Sequence, residues 1–161
     1  MSTLWTPEVL TDIAQRISTQ ESIRFWDEDE VGYPQELEKE NVTRYLNNFL
    51  PAAGIFNLPD QDSKGIPKLS LVFFYEGRVE RIDTQQFETV IQKVLSEAGY
   101  SAVKELMHFK KNQFFGKGVL NSIPCLEGRT LLRDNEDCSF RFFANGYVKI
   151  ASDKVTEPLL Y

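Results

Sequence analysis

The chain has 161 residues, 42% hydrophobic and 26% charged, with a net charge of −6. This suits one soluble globular domain that buries roughly 70% of its unfolded surface. No run of about 18 apolar residues occurs, which excludes a membrane-spanning helix, and MSTLWTPEVL lacks the basic stretch and apolar core of a secretory leader. The charge is concentrated: residues 21–40 hold eight acids against Arg24 and Lys39 and account for the whole −6. The acidic balance therefore says little about what the rest of the chain binds.

The first element is a helix. Leu10, Ile13, Ala14 and Ile17 recur on one face, Thr6 suits its N-cap, Pro7 its first position, and Trp5 is placed to staple onto Leu10. "ESIRFW" (21–26) predicts a short strand from its aromatic and branched residues. The acidic stretch after it reads as a solvated loop or a frayed helix. Val42, Tyr45, Leu46, Phe49 and Leu50 mark a second helix, with Asn41 as cap and Pro51 and Gly54 at its end. Polar residues with Gly and Pro predict a mobile surface loop over 60–67.

"KLSLVFFYEGRVERI" predicts a hairpin turning at Glu76-Gly77. Thr84 is the expected cap of a third helix with Phe87, Val90, Ile91, Val94 and Leu95 on one face and Gly99 just past its end. Two shorter helices are expected around 101–109 and 112–121, then a short strand over 130–133. Cys125 and Cys138 have no ligand-like spacing to the single histidine, His108, and read as free thiols in a reducing, cytoplasmic compartment. Helices interleave with small antiparallel hairpins, without strand-helix-strand alternation. The expected fold is α+β in a single compact domain. Its N-terminal portion, 1–40, comprises a helix, a short strand and the acidic segment; 41–161 forms the main α+β part.

The last hairpin, "SFRFFANGYVKI" (139–150), admits two registers. A two-residue loop Asn145-Gly146 would mix apolar and charged groups on each face. A three-residue loop Ala144-Asn145-Gly146 opposes Phe142 to Val148 and Arg141 to Lys149, and makes Phe140, Phe142, Val148 and Ile150 one apolar face. The second is the expected register. It sets Arg141 beside Lys149, flanked by Phe143 and Tyr147: either a solvated cationic face or a place for an anion.

This hairpin, continued as "FFANGYVKIASDKVTEPLLY", resembles the stretch just upstream of the superfamily 3-type helicase ATPase in primase-helicase proteins of bacteriophages and mobile elements. Earlier landmarks are similar in order: "VTRYLNNFLPAAGIF", "LSLVFFYEGRVERID", "FETVIQKVL" and "LLRDNED". The resemblance covers about 41–161 and is one of pattern. It implies a segment without its motor. In such proteins the ATPase follows, whereas this chain ends at Tyr161 and contains no G-x-x-x-x-G-K-[ST]; "FFGKGVL" has glycine where the Mg²⁺-binding hydroxyl is needed.

Three constellations bear on chemistry. Asp27 and Asp29 in "WDEDEV" resemble the metal-binding pair of archaeo-eukaryotic primases, or form a solvated acidic turn. "KELMHFKKNQFFGKG" sets Lys110, Lys111 and Lys117 among Phe109, Phe114 and Phe115. That is the pairing of cations and stacking platforms found in single-strand binders, or simply a helix with a core face. No arrangement for nucleophilic catalysis is present. The expected function is that of a non-catalytic domain, without cofactor or metal, of a primase-helicase-type replication protein. It would contact single-stranded or forked DNA weakly through Arg141, Lys149, Lys110, Lys111 and Lys117, or couple a primase to a helicase ATPase. Two alternatives stay open: a divergent primase-polymerase using Asp27 and Asp29, and a protein-interaction module using the acidic 21–40 segment.

Overall fold

The computed structural model describes residues 5–126 and, as backbone, the strand residues 138–143, 146–151 and 159–160. Helix α1 (Pro7–Thr19) starts as its sequence dictates: Thr6 Oγ1 accepts from the Val9 N–H at 3.3 Å, and Ile13, Ala14 and Ile17 are buried. Trp5 packs edge-to-face on Phe73 at 5.5 Å.

No strand forms over 21–26. A 3₁₀ turn (Glu21–Ile23) leads into extended chain in which Phe25 and Trp26 are both buried. Two consecutive buried side chains cannot alternate between the faces of a half-buried sheet. Side chains replace the missing ladder: Arg24 Nη2 donates to the Ser18 carbonyl at 2.8 Å and Asn41 Nδ2 to the Phe25 carbonyl at 2.6 Å. Asn41 is therefore not the helix cap. Helix α2 (Lys39–Arg44) begins at Glu38, whose N–H donates to Asn41 Oδ1 at 2.7 Å.

Helix α2 runs through a π-helical turn (Tyr45–Phe49) into the short α3 (Leu50–Ala52). Pro51 explains the turn. It has no N–H to donate and its ring crowds the carbonyl four residues back, and a widened turn, with the Leu50 N–H reaching the Tyr45 carbonyl, relieves both. Gly54 follows at φ 81°, where a Cβ would collide with the Phe74 carbonyl oxygen.

Strands β1 (Ile55–Gln61), β2 (Pro67–Tyr75) and β3 (Arg78–Arg81) form an antiparallel sheet in that order. The loop expected over 60–67 is shorter, because Asp60, Gln61 and Pro67 belong to the ladder. Pro59 is tolerated because β1 is the first strand of the sheet, where a missing ladder donor costs least. The turn Glu76-Gly77 has positive φ at both positions (48° and 80°), the primed geometry that matches strand twist.

Helix α4 (Thr84–Glu97) buries the five predicted residues, but its cap is Asp83, one residue earlier than expected. Asp83 and Gln86 exchange side-chain-to-backbone bonds of 2.7 and 2.9 Å. Gly99 ends it in the left-handed region, with the Tyr100 N–H on the Leu95 carbonyl at 2.8 Å. Helices α5 (Ser101–Phe109), α6 (Lys111–Phe115) and α7 (Lys117–Ser122) complete one core shared by residues from both sides of position 40. At its centre Phe25 meets Tyr45, Phe49 and Phe114 at ring distances of 4.9–5.6 Å. The fold is α+β.

Strands β4 (Cys138–Phe143), β5 (Gly146–Ala151) and β6 (Leu159–Leu160) form a second antiparallel sheet. The register expected from a three-residue loop is not the one adopted. Gly146 pairs with Phe143, Phe142 with Tyr147, Arg141 with Val148 and Phe140 with Lys149. Arg141 and Lys149 are thus not partners across the ladder. Strand β5 also pairs with β6, Gly146 with Leu160 and Tyr147 with Leu159. The strand expected over 130–133 lies outside the described residues.

Candidate functional site

The acidic segment is a built loop. At its base Trp26 is buried and its Nε1 donates to Glu28 Oε1 at 3.1 Å. Asp27 Oδ2 accepts from Arg44 Nη2 at 2.7 Å and from Asn41 Nδ2 at 3.3 Å. The hydrogen bond from Arg44 holds the Asp27 carboxyl below the usual carboxylate range, against a smaller upward push from desolvation. The Gln35 N–H closes on the Asp27 carbonyl at 2.7 Å, and Glu28 bridges Pro34.

At the tip, Asp29 Oδ1 accepts from the N–H groups of Val31 (3.0 Å) and Tyr33 (2.9 Å), and the Asp29 N–H donates to the Tyr33 carbonyl at 2.9 Å. Gly32 supplies the left-handed residue at φ 87°. This scaffold holds Val31 79% and Tyr33 68% exposed. Asp27 and Asp29 are therefore engaged separately, one on Arg44 and one on loop backbone. Among the described residues no group of three His, Cys, Asp or Glu is placed to hold a metal ion.

The basic strip is organised differently. Phe114 and Phe115 are buried in the core, so neither is a stacking platform. Lys110 Nζ bonds the Leu37 carbonyl and lies 3.4 Å from Glu36 Oε1; Lys111 Nζ lies 3.0 Å from Glu88 Oε1. Lys117 is exposed and, among the described residues, makes no ion pair. His108 is exposed, and Phe109, at the C-terminal end of α5, is 83% exposed. The segment thus presents one aromatic ring and partly neutralised cations. Arg141 and Lys149 lie on β4 and β5, described only as backbone.

Two other features gather polar side chains. A cleft of about 470 Å³ between α1 and α4 is lined by Thr11, Lys93, Ser96, Glu97 and Lys104 among others, and Lys104 Nζ donates to Ser96 Oγ at 3.2 Å. Tyr75 donates to Asp12 Oδ2 at 2.6 Å, a bond that pushes its hydroxyl up to about 12, and Arg16 pairs with the same Asp12 at 2.8 Å. That cluster ties α1 to β2. Cys125 is a free, exposed thiol. Sequence reasoning missed the exposed pair Val31 and Tyr33. The signal was present, two apolar residues around Gly32 inside an acidic run, but it reads as a solvated loop. No helix among the described residues is long and apolar enough to cross a membrane. Against protein-family models, curated proteins and solved structures, the chain gives no match.

Proposed function

We propose that the chain is a non-catalytic coupling domain of a replication protein of the primase-helicase kind, which engages a neighbouring primase or helicase module through its acidic loop. One observation carries the reading: residues 27–35 are hydrogen-bonded into a fixed scaffold that holds Val31 and Tyr33 out of the core and in water. Exposed apolar side chains on an ordered support, rimmed by charge, are the make-up of a protein contact. The separate engagement of Asp27 and Asp29 favours this over the primase-polymerase alternative.

The test is calorimetric titration of the chain with the helicase ATPase or the primase module of the same replication system. Binding is expected, and Val31→Ser with Tyr33→Ser should weaken it about tenfold or more while leaving the unfolding midpoint unchanged. Binding indifferent to both substitutions would overturn the reading.

A second reading is favoured by Phe109 and Lys117: weak contact with single-stranded or forked DNA by the 104–117 segment together with Arg141 and Lys149. Fluorescence anisotropy at several salt concentrations tests it, since removing one cation that meets a phosphate should flatten the log–log salt slope by about 0.7. A slope unchanged by Lys117→Ala with Phe109→Ala would remove this segment from it.

A further inference from the structure

Helices α1, α4 and α5 line the cleft of about 470 Å³, which falls within the roughly 300–1,000 Å³ of small-molecule sites. Helix α4 turns one stripe into the core. The stripe beside it carries Lys93, Ser96 and Glu97 along the cleft, since residues three and four apart share a helix face. Helix α1 adds Leu10 and Thr11 from its first turns, and α5 adds Lys104.

The charges of this cleft are incompletely matched. Arg24, Arg44, Lys104 and Lys110 are the half-buried cations among the described residues. Arg24, Arg44 and Lys110 each meet a carboxylate, at 3.9, 2.7 and 3.4 Å. Lys104 does not: among the described residues its hydrogen-bond partner is a neutral oxygen, Ser96 Oγ at 3.2 Å. Lys93 likewise makes no ion pair among the described residues, although Glu97 lies one helical turn further on. A lysine placed N-terminal to a glutamate is the poorer order for such a pair.

The cleft therefore holds both donors and acceptors. Lys93, Lys104 and the Ser96 hydroxyl can donate. Thr11 donates its own proton to the Pro7 carbonyl at 2.8 Å, so Thr11 and Glu97 are acceptors. A ligand that satisfies them carries an anion for the two ammonium groups and hydroxyls for the two acceptors. Two point charges on separate helices suit a phosphate monoester, with about −1.5 to −2 charge and three acceptor oxygens, better than a single carboxylate. The Glu97 carboxylate repels a bare anion and so selects an ester with hydroxyl groups over inorganic phosphate. Leu10 gives the carbon skeleton an apolar wall. A DNA strand is the poorer occupant. It needs a cationic track, and the next cations along the chain, Lys110 and Lys111, are engaged by Leu37, Glu36 and Glu88.

We infer that this cleft binds a small phosphate monoester whose organic part carries hydroxyl groups, with the phosphate on Lys93, Lys104 and Ser96 and a hydroxyl on Glu97 and Thr11. The site shares no residue with the 27–35 loop and does not depend on that loop's being a contact surface. The cleft is open to water, so screening keeps the affinity modest, with a Kd on the order of 1 mM.

Amide NMR spectra of the full chain, titrated with glycerol phosphate, test it. Saturable shifts are expected at the amides of Lys93, Ser96, Glu97 and Lys104. Glycerol should move none of them, and inorganic phosphate at matched ionic strength should bind about threefold more weakly or worse. Lys93→Met with Lys104→Met should weaken binding about tenfold or more and leave the rest of the spectrum in place. Lys93→Met by itself, at an exposed position, should already weaken it severalfold. Glu97→Gln should remove the preference over inorganic phosphate. Shifts that never saturate, equal binding of glycerol phosphate and inorganic phosphate by the wild type, or binding indifferent to Lys93→Met would overturn the inference. An oligothymidylate that shifts the same amides at far lower concentration would also overturn it, and would give the cleft to a DNA strand.

Discussion

The acidic 21–40 segment and the basic 104–117 segment look alike as sequences: a run of like charges interleaved with aromatic residues. Folding treats them in opposite ways. In the first, Phe25 and Trp26 anchor the base and the Asp29 side chain serves the loop backbone, so Val31 and Tyr33 are left facing water. In the second, Phe114 and Phe115 enter the core and the cations at 110 and 111 meet Leu37, Glu36 and Glu88. What separates them is helix periodicity. A helix carries every third or fourth side chain inward, whereas a loop closed by its own carboxylate has no inward face beyond its base.

The sharpest break of this contrast is at the shared core. Phe25 and Phe114, one from each segment, meet at 5.6 Å. Phe25→Ala and Phe114→Ala should each cost roughly 3–5 kcal/mol in a urea titration, because both rings are fully buried. A small loss for Phe114 would mean that the ring is not core and would reopen it as a stacking platform.

The next effect is at the base of the loop. Asn41→Ala removes the donor to the buried Phe25 carbonyl and the acceptor for the part-buried Glu38 N–H. A loss of about 2–3 kcal/mol is expected from denaturant unfolding. Asn41→Asp should cost nearly as much, since it keeps the acceptor but loses the donor.

How far the sequence foretold this follows from the same physics. Helices α1 and α4 were legible because their buried residues repeat with the helical period, and the start of α1 carries Thr6-Pro7; the start of α4 was placed one residue late, on Thr84 instead of Asp83. Strand β1 was not legible, because Pro59 and Asp60 read as loop residues and only pairing with β2 makes them strand. The course of 24–26 was hidden for a related reason: its backbone partner is an asparagine side chain sixteen residues away from Phe25. The register of β4 and β5 was not legible, because grouping Phe140, Phe142, Val148 and Ile150 on one face points to a pairing one residue away from the one adopted. At the site, the charges were legible and the exposure of Val31 and Tyr33 was not, since it depends on which hydrogen bonds close the loop.

The smallest effect concerns pH. The Arg44 hydrogen bond lowers the carboxyl of Asp27 below its ordinary value of 3.8, so the folded state holds that proton less tightly than the unfolded chain. The resulting stability is present in full above pH 3.8 and is lost as the pH falls below it, through the lower folded value. The pair is exposed, so the loss is expected to stay under about 1 kcal/mol. Comparing acid unfolding of the wild type with Asp27→Asn reads it: the variant should show the shallower decline.

Residues 27–35 form a fixed platform rather than a solvated acidic coil, and amide hydrogen exchange of the full chain tests this most directly. The N–H groups of Asp29, Val31, Gly32, Tyr33 and Gln35 each have a hydrogen-bond acceptor within the loop at 2.7–3.0 Å, and exchange is slowed only where such bonds persist. Protection well above that of a free peptide at these five amides, lost on Asp29→Ala without a change in the protection of α4, is the result expected. Exchange of all five at free-peptide rates in the wild type would contradict the account.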